Sequence, residues 1–194
     1  GLTAWLAAAH PHLATGHLTA SVIAGGRSNL TYAVEGARIP LILRRPPLGH
    51  VLSSAHDMRR EHRVISALAG TDVPVPAAVD VVDDTEDTRV TGTVFFVMER
   101  SPGRVLAHRS QNRDYSATGL RALGIELAQH LAALHAVVPE AVGLADFGRP
   151  DGYLGRQVAT WRRQLDASRS RATPTLDALQ DTLSEGLPDA TRAG

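Results

Sequence analysis

The chain has 194 residues, of which 43% are hydrophobic and 21% charged, and its formal net charge is zero. This composition is typical of one globular domain, or of two small lobes, with a substantial core. A balanced charge gives no general attraction for nucleic acid or for an anionic membrane, so we expect neither as a partner. The absence of cysteine excludes disulfides, thiolate zinc sites and cysteine nucleophiles from these residues.

All twenty basic residues are arginine, so a site that normally uses lysine must here use a planar guanidinium. No apolar run approaches the roughly 20 residues that a membrane-spanning helix needs. The apolar N-terminus has no basic segment before it, and His10 and Pro11 follow it at once. This pattern favours a short helix over a signal peptide, and we expect a cytoplasmic protein.

The first hundred residues predict a sheet and two helices. Apolar spacing predicts a helix over 2–13. Turns at Gly25-Gly26 and at Gly36 separate three short strands, and this spacing predicts an antiparallel meander at 18–24, 30–35 and 40–44.

A second helix and two more strands complete this part of the chain. Ser54 as N-cap, with Asp57 three residues later, predicts a helix that reaches Ala69 and stops at Gly70. The last two strands are predicted at 77–82 and 93–98. The acidic run between them predicts a solvated hairpin tip.

Helices dominate the remainder. Ser101-Pro102-Gly103 marks a connector, after which leucines recur at intervals of three and four and predict a long helix with a buried stripe. Two further helices are predicted over 151–168 and from Pro174 to Gly186. The residues expected to point inward are Leu120, Leu123, Leu127, Leu131, Leu134 and Val138, then Leu154, Val158, Trp161 and Leu165, then Leu176, Leu179 and Leu183.

This order of elements is not an alternating βαβ pattern, and it predicts an α+β fold. We expect a five-stranded antiparallel sheet with one helix, followed by the first helices of an α-helical lobe. The predicted boundaries are residues 1–99 for the first lobe, 100–104 for the connector and 105–194 for a partial second lobe.

The glycine turn is the first candidate for chemistry. Gly25 and Gly26 allow the backbone to approach a ligand, and Arg27, Ser28 and Asn29 add donors suited to phosphate oxygens. A Gly-Gly hairpin is also a common structural turn, so this alternative stays open. The turn is neither G-x-G-x-x-G nor a Walker loop, and no helix follows it.

Arg44 and Glu61 form the second candidate. Glu61 falls on the apolar stripe of its helix with Met58, Ile65 and Leu68, where an isolated carboxylate is costly. We therefore expect a buried ion pair with Arg44, at the end of the third strand. The alternative is a surface pair between Glu61 and a neighbouring arginine. A glycine turn, a strand cation and a helix carboxylate are the parts that hold nucleotide phosphates in kinase-like enzymes.

Taken in order, these motifs resemble those of the aminoglycoside phosphotransferase family, which has a protein-kinase-like fold. The resemblance covers nearly the whole chain and is greatest to the branch that includes phosphotransferase-like domains fused to acyl-CoA dehydrogenases. The matching segments are Gly25-Gly26-Arg27-Ser28-Asn29-Leu30-Thr31-Tyr32, Leu43-Arg44-Arg45-Pro46-Pro47, Arg60-Glu61-His62-Arg63-Val64-Ile65, Val73-Pro74-Val75-Pro76, Phe96-Val97-Met98-Glu99, Leu134-His135, Gly152-Tyr153-Leu154, Arg156-Gln157 and Trp161.

The resemblance implies an ATP site in the first lobe. Residues 25–29 would cover the phosphates, and Arg44, held by Glu61, would stand where kinase-like folds often have lysine. Met98 would flank the adenine pocket, while Glu99 would offer its carbonyl and Ser101 its amide to the adenine edge.

The catalytic loop of this family, H-G-D-x-x-x-x-N, and the metal-binding Asp that follows it are missing from these residues. We expect no catalytic residue and no magnesium ligand in this chain, which we expect to stop about where that loop should begin. Two segments imitate kinase motifs, namely Asp146-Phe147-Gly148 and His108-Arg109-Ser110. Both stand in the wrong order relative to the long helix, so we expect Asp146 in a turn.

The sequence thus predicts the nucleotide-binding part of an ATP- and Mg²⁺-dependent phosphotransferase that acts on a small-molecule hydroxyl. The phosphate acceptor is not predicted. The alternative is a non-catalytic nucleotide-binding or scaffolding module.

Overall fold

The computed structural model of the chain describes residues 1–23, 29–47, 57–106, 108–148 and 151–188. The chain divides into two units, Gly1–Val138 and Pro139–Gly194. The predicted lobe boundary at residues 100–104 stays a prediction. Within the described ranges, every helix is too short or too polar to cross a membrane.

The first unit is built on five antiparallel strands in the order β1-β2-β3-β5-β4. This sheet confirms the predicted α+β class and the predicted meander of the first three strands. The strands are β1 Ala14–Val22, β2 Leu30–Ala37, β3 Leu41–Arg45, β4 Ala78–Asp83 and β5 Val94–Glu99.

Among the described residues there are five α-helices and two short 3₁₀ helices, Arg109–Asp114 and Pro139–Val142, and the 3₁₀ helices were not predicted. The α-helices are α1 Leu2–Ala9, α2 Met58–Leu68, α3 Ala117–Ala136, α4 Tyr153–Ser168 and α5 Pro174–Glu185. The prediction that the first helix reaches Leu13 was wrong. Because a residue before proline avoids helical geometry, the helix ends ahead of His10 and Pro11, and β1 begins earlier than expected.

The start of α2 also differs from the prediction. Asp57 is the N-cap: its backbone is extended, and its side chain accepts a hydrogen bond from the backbone N–H of Arg60 at 3.0 Å. A carboxylate at the cap satisfies a donor that the first turn leaves free. The predicted N-cap at Ser54 was therefore wrong; Ser53 and Ser54 themselves lie outside the described residues.

The two faces of the sheet pack against different helices. One face joins α1 in a cluster of buried residues: Leu6, Leu13, Leu18, Val34, Leu41, Leu43, Phe95 and Val97. The alternate residues of the same strands face α2, as strand geometry requires. On that face Phe96 is fully buried, and its ring meets the ring of His62 edge-on at 6.2 Å. Arg44 lies opposite Phe96 across the β3–β5 pair and shares this face.

Asp84, in the connection between β4 and β5, is buried. Its carboxylate accepts hydrogen bonds from the backbone N–H groups of Arg89, Val90, Thr91 and Gly92 at 2.5–2.9 Å. Burial alone would raise the pKa of Asp84, but these four donors outweigh it and lower the pKa to about 2. The predicted solvated tip is therefore wrong for this residue, because the carboxylate organises the loop from inside.

Gly36 lies inside β2 rather than in the predicted turn. Its φ is +91°, and a Cβ added there would lie 2.4 Å from the carbonyl oxygen of His17. The register between β1 and β2 shifts in this region, between the pairs formed by Ala14 and Thr19. Glycine is needed here because both the positive φ and the close approach of β1 exclude a side chain with a Cβ.

The helices after the sheet form where predicted, but their apolar stripes are not buried. In α3 the side chains of Leu127 and Leu131 are 70% and 50% exposed. In the second unit α4 and α5 pack on each other, with the Gln180 side chain donating to the carbonyl of Val158 at 3.0 Å. Trp161 and the three leucines of α5 still remain exposed. The prediction of buried stripes was therefore wrong for these exposed residues, whereas Leu123, Leu154, Val158 and Leu165 are half-buried.

Candidate functional site

Helix α2 places Glu61 beside the sheet. Met58 and Leu68, at the two ends of the helix, are 1% and 6% exposed, and Ile65 is half-buried. Glu61 follows Met58 by three residues and precedes Ile65 by four, so it lies on the same stripe. The predicted position of this carboxylate on the core-facing side of the helix is confirmed.

Glu61 pairs with Arg44. The Nη1 atom of Arg44 lies 3.0 Å from Oε2 of Glu61, which confirms the ion pair predicted from the sequence. Each side chain is 31% exposed, so the pair is partly open rather than buried as expected. The pair therefore lies between the sheet and α2 and remains partly accessible to solvent.

The other oxygen of Glu61 binds Asn29. The amide nitrogen of Asn29 donates to Oε1 of Glu61 at 2.6 Å, and Asn29 is only 7% exposed. The residue stands just before β2, two positions from Thr31, which pairs with Arg44 across the strands. The sequence analysis placed Asn29 in the glycine turn and missed this contact. The contact depends on the register between β2 and β3, which places Asn29 on the face of the sheet that packs against α2, and this register could not be predicted from the sequence.

Arg44 keeps hydrogen-bonding capacity beyond the ion pair. Its Nε atom is buried and has no hydrogen-bond partner within the described ranges of the chain. A guanidinium has five N–H donors, and buried donors without partners are costly. The side chain is thus anchored through Nη1, and a guanidinium is a group whose donors suit the oxygens of a phosphate.

The end of β5 lies on the same side of the sheet. Met98 pairs with Ile42, and Phe96 pairs with Arg44, so Met98 and Arg44 share a face. The chain beyond is held by two backbone bonds, from Glu99 N–H to Ala77 O at 2.8 Å and from Arg100 N–H to Pro40 O at 2.9 Å. Met98 and Glu99 are half-buried. The Glu99 carbonyl and the exposed Ser101 amide are not part of these two bonds.

The structure thus brings together Asn29, Arg44 and Glu61, with Met98 further along the same face. Gly25, Gly26, Arg27 and Ser28 lie outside the described residues. Within the described ranges, no group of three His, Asp or Glu side chains is arranged to hold a metal ion.

The two segments that imitate kinase motifs lie in a turn and at the start of a short helix. Asp146 lies in a turn, as predicted, in which the Phe147 N–H donates to the carbonyl of Leu144 at 3.0 Å. His108 is the N-cap of the 3₁₀ helix Arg109–Asp114, ahead of α3.

Sequence comparison identifies the family. Residues 19–193 match the model of the phosphotransferase enzyme family, APH, and the chain belongs to this family. A crystal structure from Ralstonia eutropha, assigned as an aminoglycoside phosphotransferase, superposes with a TM-score of 0.73 at 32% identity. The match covers 97% of this chain and 53% of that one, and it agrees with the kinase-like α+β fold.

Relatives of known name are much longer proteins. The chain is 36% identical over 168 residues to acyl-CoA dehydrogenase family member 10 of Mus musculus, covering 84% of this chain and 15% of that protein. It is 33% identical over 178 residues to acyl-CoA dehydrogenase family member 11 of Rattus norvegicus, covering 89% and 22%. The resemblance to the phosphotransferase-like domains of this branch is therefore confirmed.

Proposed function

We propose that this chain carries the ATP-binding part of a small-molecule phosphotransferase, which moves a γ-phosphoryl group to a substrate hydroxyl. Family membership supports the class of reaction. The observation that supports the nucleotide site is the partly exposed ion pair between Arg44 on β3 and Glu61 on α2.

Arg44 is the proposed phosphate ligand. Its ion pair with Glu61 occupies one amino group, and Nε has no partner among the described residues. Guanidinium groups bind phosphate oxygens by paired, charge-assisted hydrogen bonds, so a partly exposed arginine at this position suits the α- and β-phosphates. Glu61 keeps the side chain from rotating away. The glycine turn, residues 25–29, is proposed to cover the phosphates.

The end of β5 is the proposed adenine site. Met98 supplies an apolar surface on the face that holds Arg44. The Glu99 carbonyl and the Ser101 N–H offer an acceptor and a donor, which match the donor and acceptor on the edge of adenine. The backbone bonds at Ala77 and Pro40 fix the start of this segment, so these groups need little reordering.

Chemistry at the γ-phosphate needs groups that these residues do not supply. Bound Mg²⁺-ATP would provide the phosphoryl group and the charge neutralisation that its transfer requires. The family motif H-G-D-x-x-x-x-N is absent from the sequence, so we place the base and the magnesium ligands outside this chain. The chain alone is accordingly expected to show no substrate-dependent release of ADP. A cytoplasmic location stays a prediction.

The second candidate is a nucleotide-binding or scaffolding module without transfer. The observation in its favour is the same absent motif. The phosphotransferase and a nucleotide-binding module both require the ATP site, whereas a scaffolding module does not. Transfer is distinguished by whether a longer protein that contains this chain turns ATP over.

Calorimetric titration with ATP tests the site. We expect Arg44→Ala to weaken ATP binding by about tenfold or more, because it removes charge-assisted hydrogen bonds worth about 1.5–3 kcal/mol. Folding should barely change, since a partly exposed ion pair contributes about 0–1 kcal/mol.

Arg59→Ala is the matched control. Arg59 lies on α2 as well, but its side chain pairs with Asp83 at 2.6 Å rather than with Glu61, and both partners are about half exposed. This variant should keep the ATP affinity of the unmodified chain. Equal affinities for the chain and for Arg44→Ala would contradict the proposed phosphate role.

A further inference from the structure

The carboxylate of Glu61 is shared between two unlike partners. Oε2 meets the guanidinium of Arg44 at 3.0 Å, and Oε1 accepts from the amide of Asn29 at 2.6 Å. The charged pair is 31% exposed on each side, whereas Asn29 is 7% exposed. The neutral contact is therefore the buried end of this chain of bonds, and the guanidinium is the open end.

A partly exposed ion pair does not fix its own geometry. Water competes for both groups, and the long side chains lose entropy when they are held in one arrangement. A buried hydrogen bond on the second oxygen changes this balance because it fixes the plane of the carboxylate. With Oε1 held by Asn29, Oε2 is directed toward Arg44, and the guanidinium is pre-organised without a second charge.

The chemistry of Asn29 suits this role. An ionised carboxylate only accepts hydrogen bonds, so the group that faces it must be the amide nitrogen. In the structure this nitrogen donates one hydrogen bond to Oε1 of Glu61. Aspartate has the same size but would set a second carboxylate against Oε1.

We propose that Asn29 is a positioning residue: its amide fixes the Glu61 carboxylate and so orients Arg44 for phosphate binding, without contacting the phosphate through its own side chain. This inference rests on the proposed ATP site. It predicts that Asn29 acts on the affinity for phosphate and only through Arg44.

The test compares ATP with adenosine, which lacks phosphates, by calorimetry on the full chain. We expect Asn29→Asp to weaken ATP binding by about tenfold, because like charges meet at Oε1, and to leave adenosine affinity unchanged. Asn29→Ala should lose less, about threefold, since it removes the donor without adding repulsion. The alanine variant also keeps the test valid if the aspartate variant does not fold.

A double mutant separates action through Arg44 from direct contact. In an Arg44→Ala background, Asn29→Ala, which adds no charge, should cause no further loss of ATP affinity, because no guanidinium is left to orient. A further threefold loss in that background would overturn the inference in favour of a direct phosphate contact.

The remaining outcomes also decide the matter. Equal loss of ATP and adenosine affinity would assign Asn29 a purely structural role and overturn the inference. Unchanged ATP affinity in both single variants would overturn it while leaving the proposed ATP site standing. No binding of ATP by the unmodified chain would overturn both.

Discussion

Apolar side chains are buried in the five-stranded sheet but largely exposed in the helices that follow it. Phe95 and Phe96 in β5 are 0% exposed, whereas Leu127 in α3 is 70% exposed and Trp161 in α4 is 57% exposed. The sheet has α1 on one face and α2 on the other. Leu127 and Trp161 stay exposed even though α4 and α5 pack on each other. Similar side chains should therefore contribute very differently to stability.

Truncation of a core phenylalanine gives the largest expected effect. Phe95→Ala should lower the free energy of unfolding by about 3–5 kcal/mol, because it leaves a cavity in a packed interior. Leu127→Ala is the matched control in α3 and should cost less than about 0.5 kcal/mol. Urea denaturation measures both.

Tryptophan fluorescence assigns the unfolding signal to the sheet. Trp5 meets Phe95 edge-on at 5.5 Å, so in a Trp161→Phe background the remaining tryptophan reports on the core of the first unit. Similar losses for the phenylalanine and the leucine variants would contradict the contrast between the two regions.

The buried carboxylate of the β4–β5 connection gives the next effect. Asp84→Asn keeps the side-chain size but loses charged hydrogen bonds to backbone donors, and it should cost about 2–3 kcal/mol at pH 7. Asp87→Asn is the control, since the Asp87 side chain is 65% exposed and its change should stay within about 0.5 kcal/mol.

The pH dependence of unfolding sharpens this prediction. The folded pKa of Asp84 is about 2, against 3.8 as its ordinary value. A lowered pKa stabilises the fold above the ordinary value, and that stability is lost as the pH falls from about 4 toward 2. Asp84→Asn should be less sensitive to pH in this window, as measured by urea midpoints. An unchanged pH slope would show that the carboxylate does not titrate as described.

Two glycines probe the contrast at the backbone. Gly36→Ala should destabilise the sheet by about 2 kcal/mol or more, because φ is +91° and His17 O lies 2.4 Å from the added Cβ. Gly124→Ala in α3 meets nothing within 4 Å and should stabilise that helix by about 0.5–1 kcal/mol. Circular dichroism melts of the two variants should shift in opposite directions; shifts of the same sign would contradict this account.

Local pattern was enough to predict most elements of the fold. Alternating apolar residues and glycine turns predicted the strands, and leucine spacing predicted α3 to α5, because these signals depend only on neighbours along the chain. Burial of the helices was not predictable in the same way. A stripe on α3 shows which face avoids water, but it carries no information about what covers that face.

The ion pair of the candidate site was predictable because it follows from the position of a single residue. Glu61 on an apolar stripe required a cation, and Arg44 supplies it. The bond from Asn29 was not predictable, because it depends on the pairing of Thr31 with Arg44, which brings distant segments into register. The burial of Asp84 was not predictable for a related reason. An acidic run is expected to face solvent, and only the fold of the loop shows that backbone N–H groups surround this carboxylate.

Nuclear magnetic resonance of the full chain, titrated with ATP, tests the central claim most directly. Amide and side-chain shifts should change at Arg44, Glu61, Met98 and Ser101, and should stay unchanged along the exposed stripe of α3. Adenosine should reproduce only the changes at Met98 and Ser101, because it has no phosphate to engage the guanidinium. Shift changes that leave Arg44 and Glu61 unaffected by ATP would contradict the account.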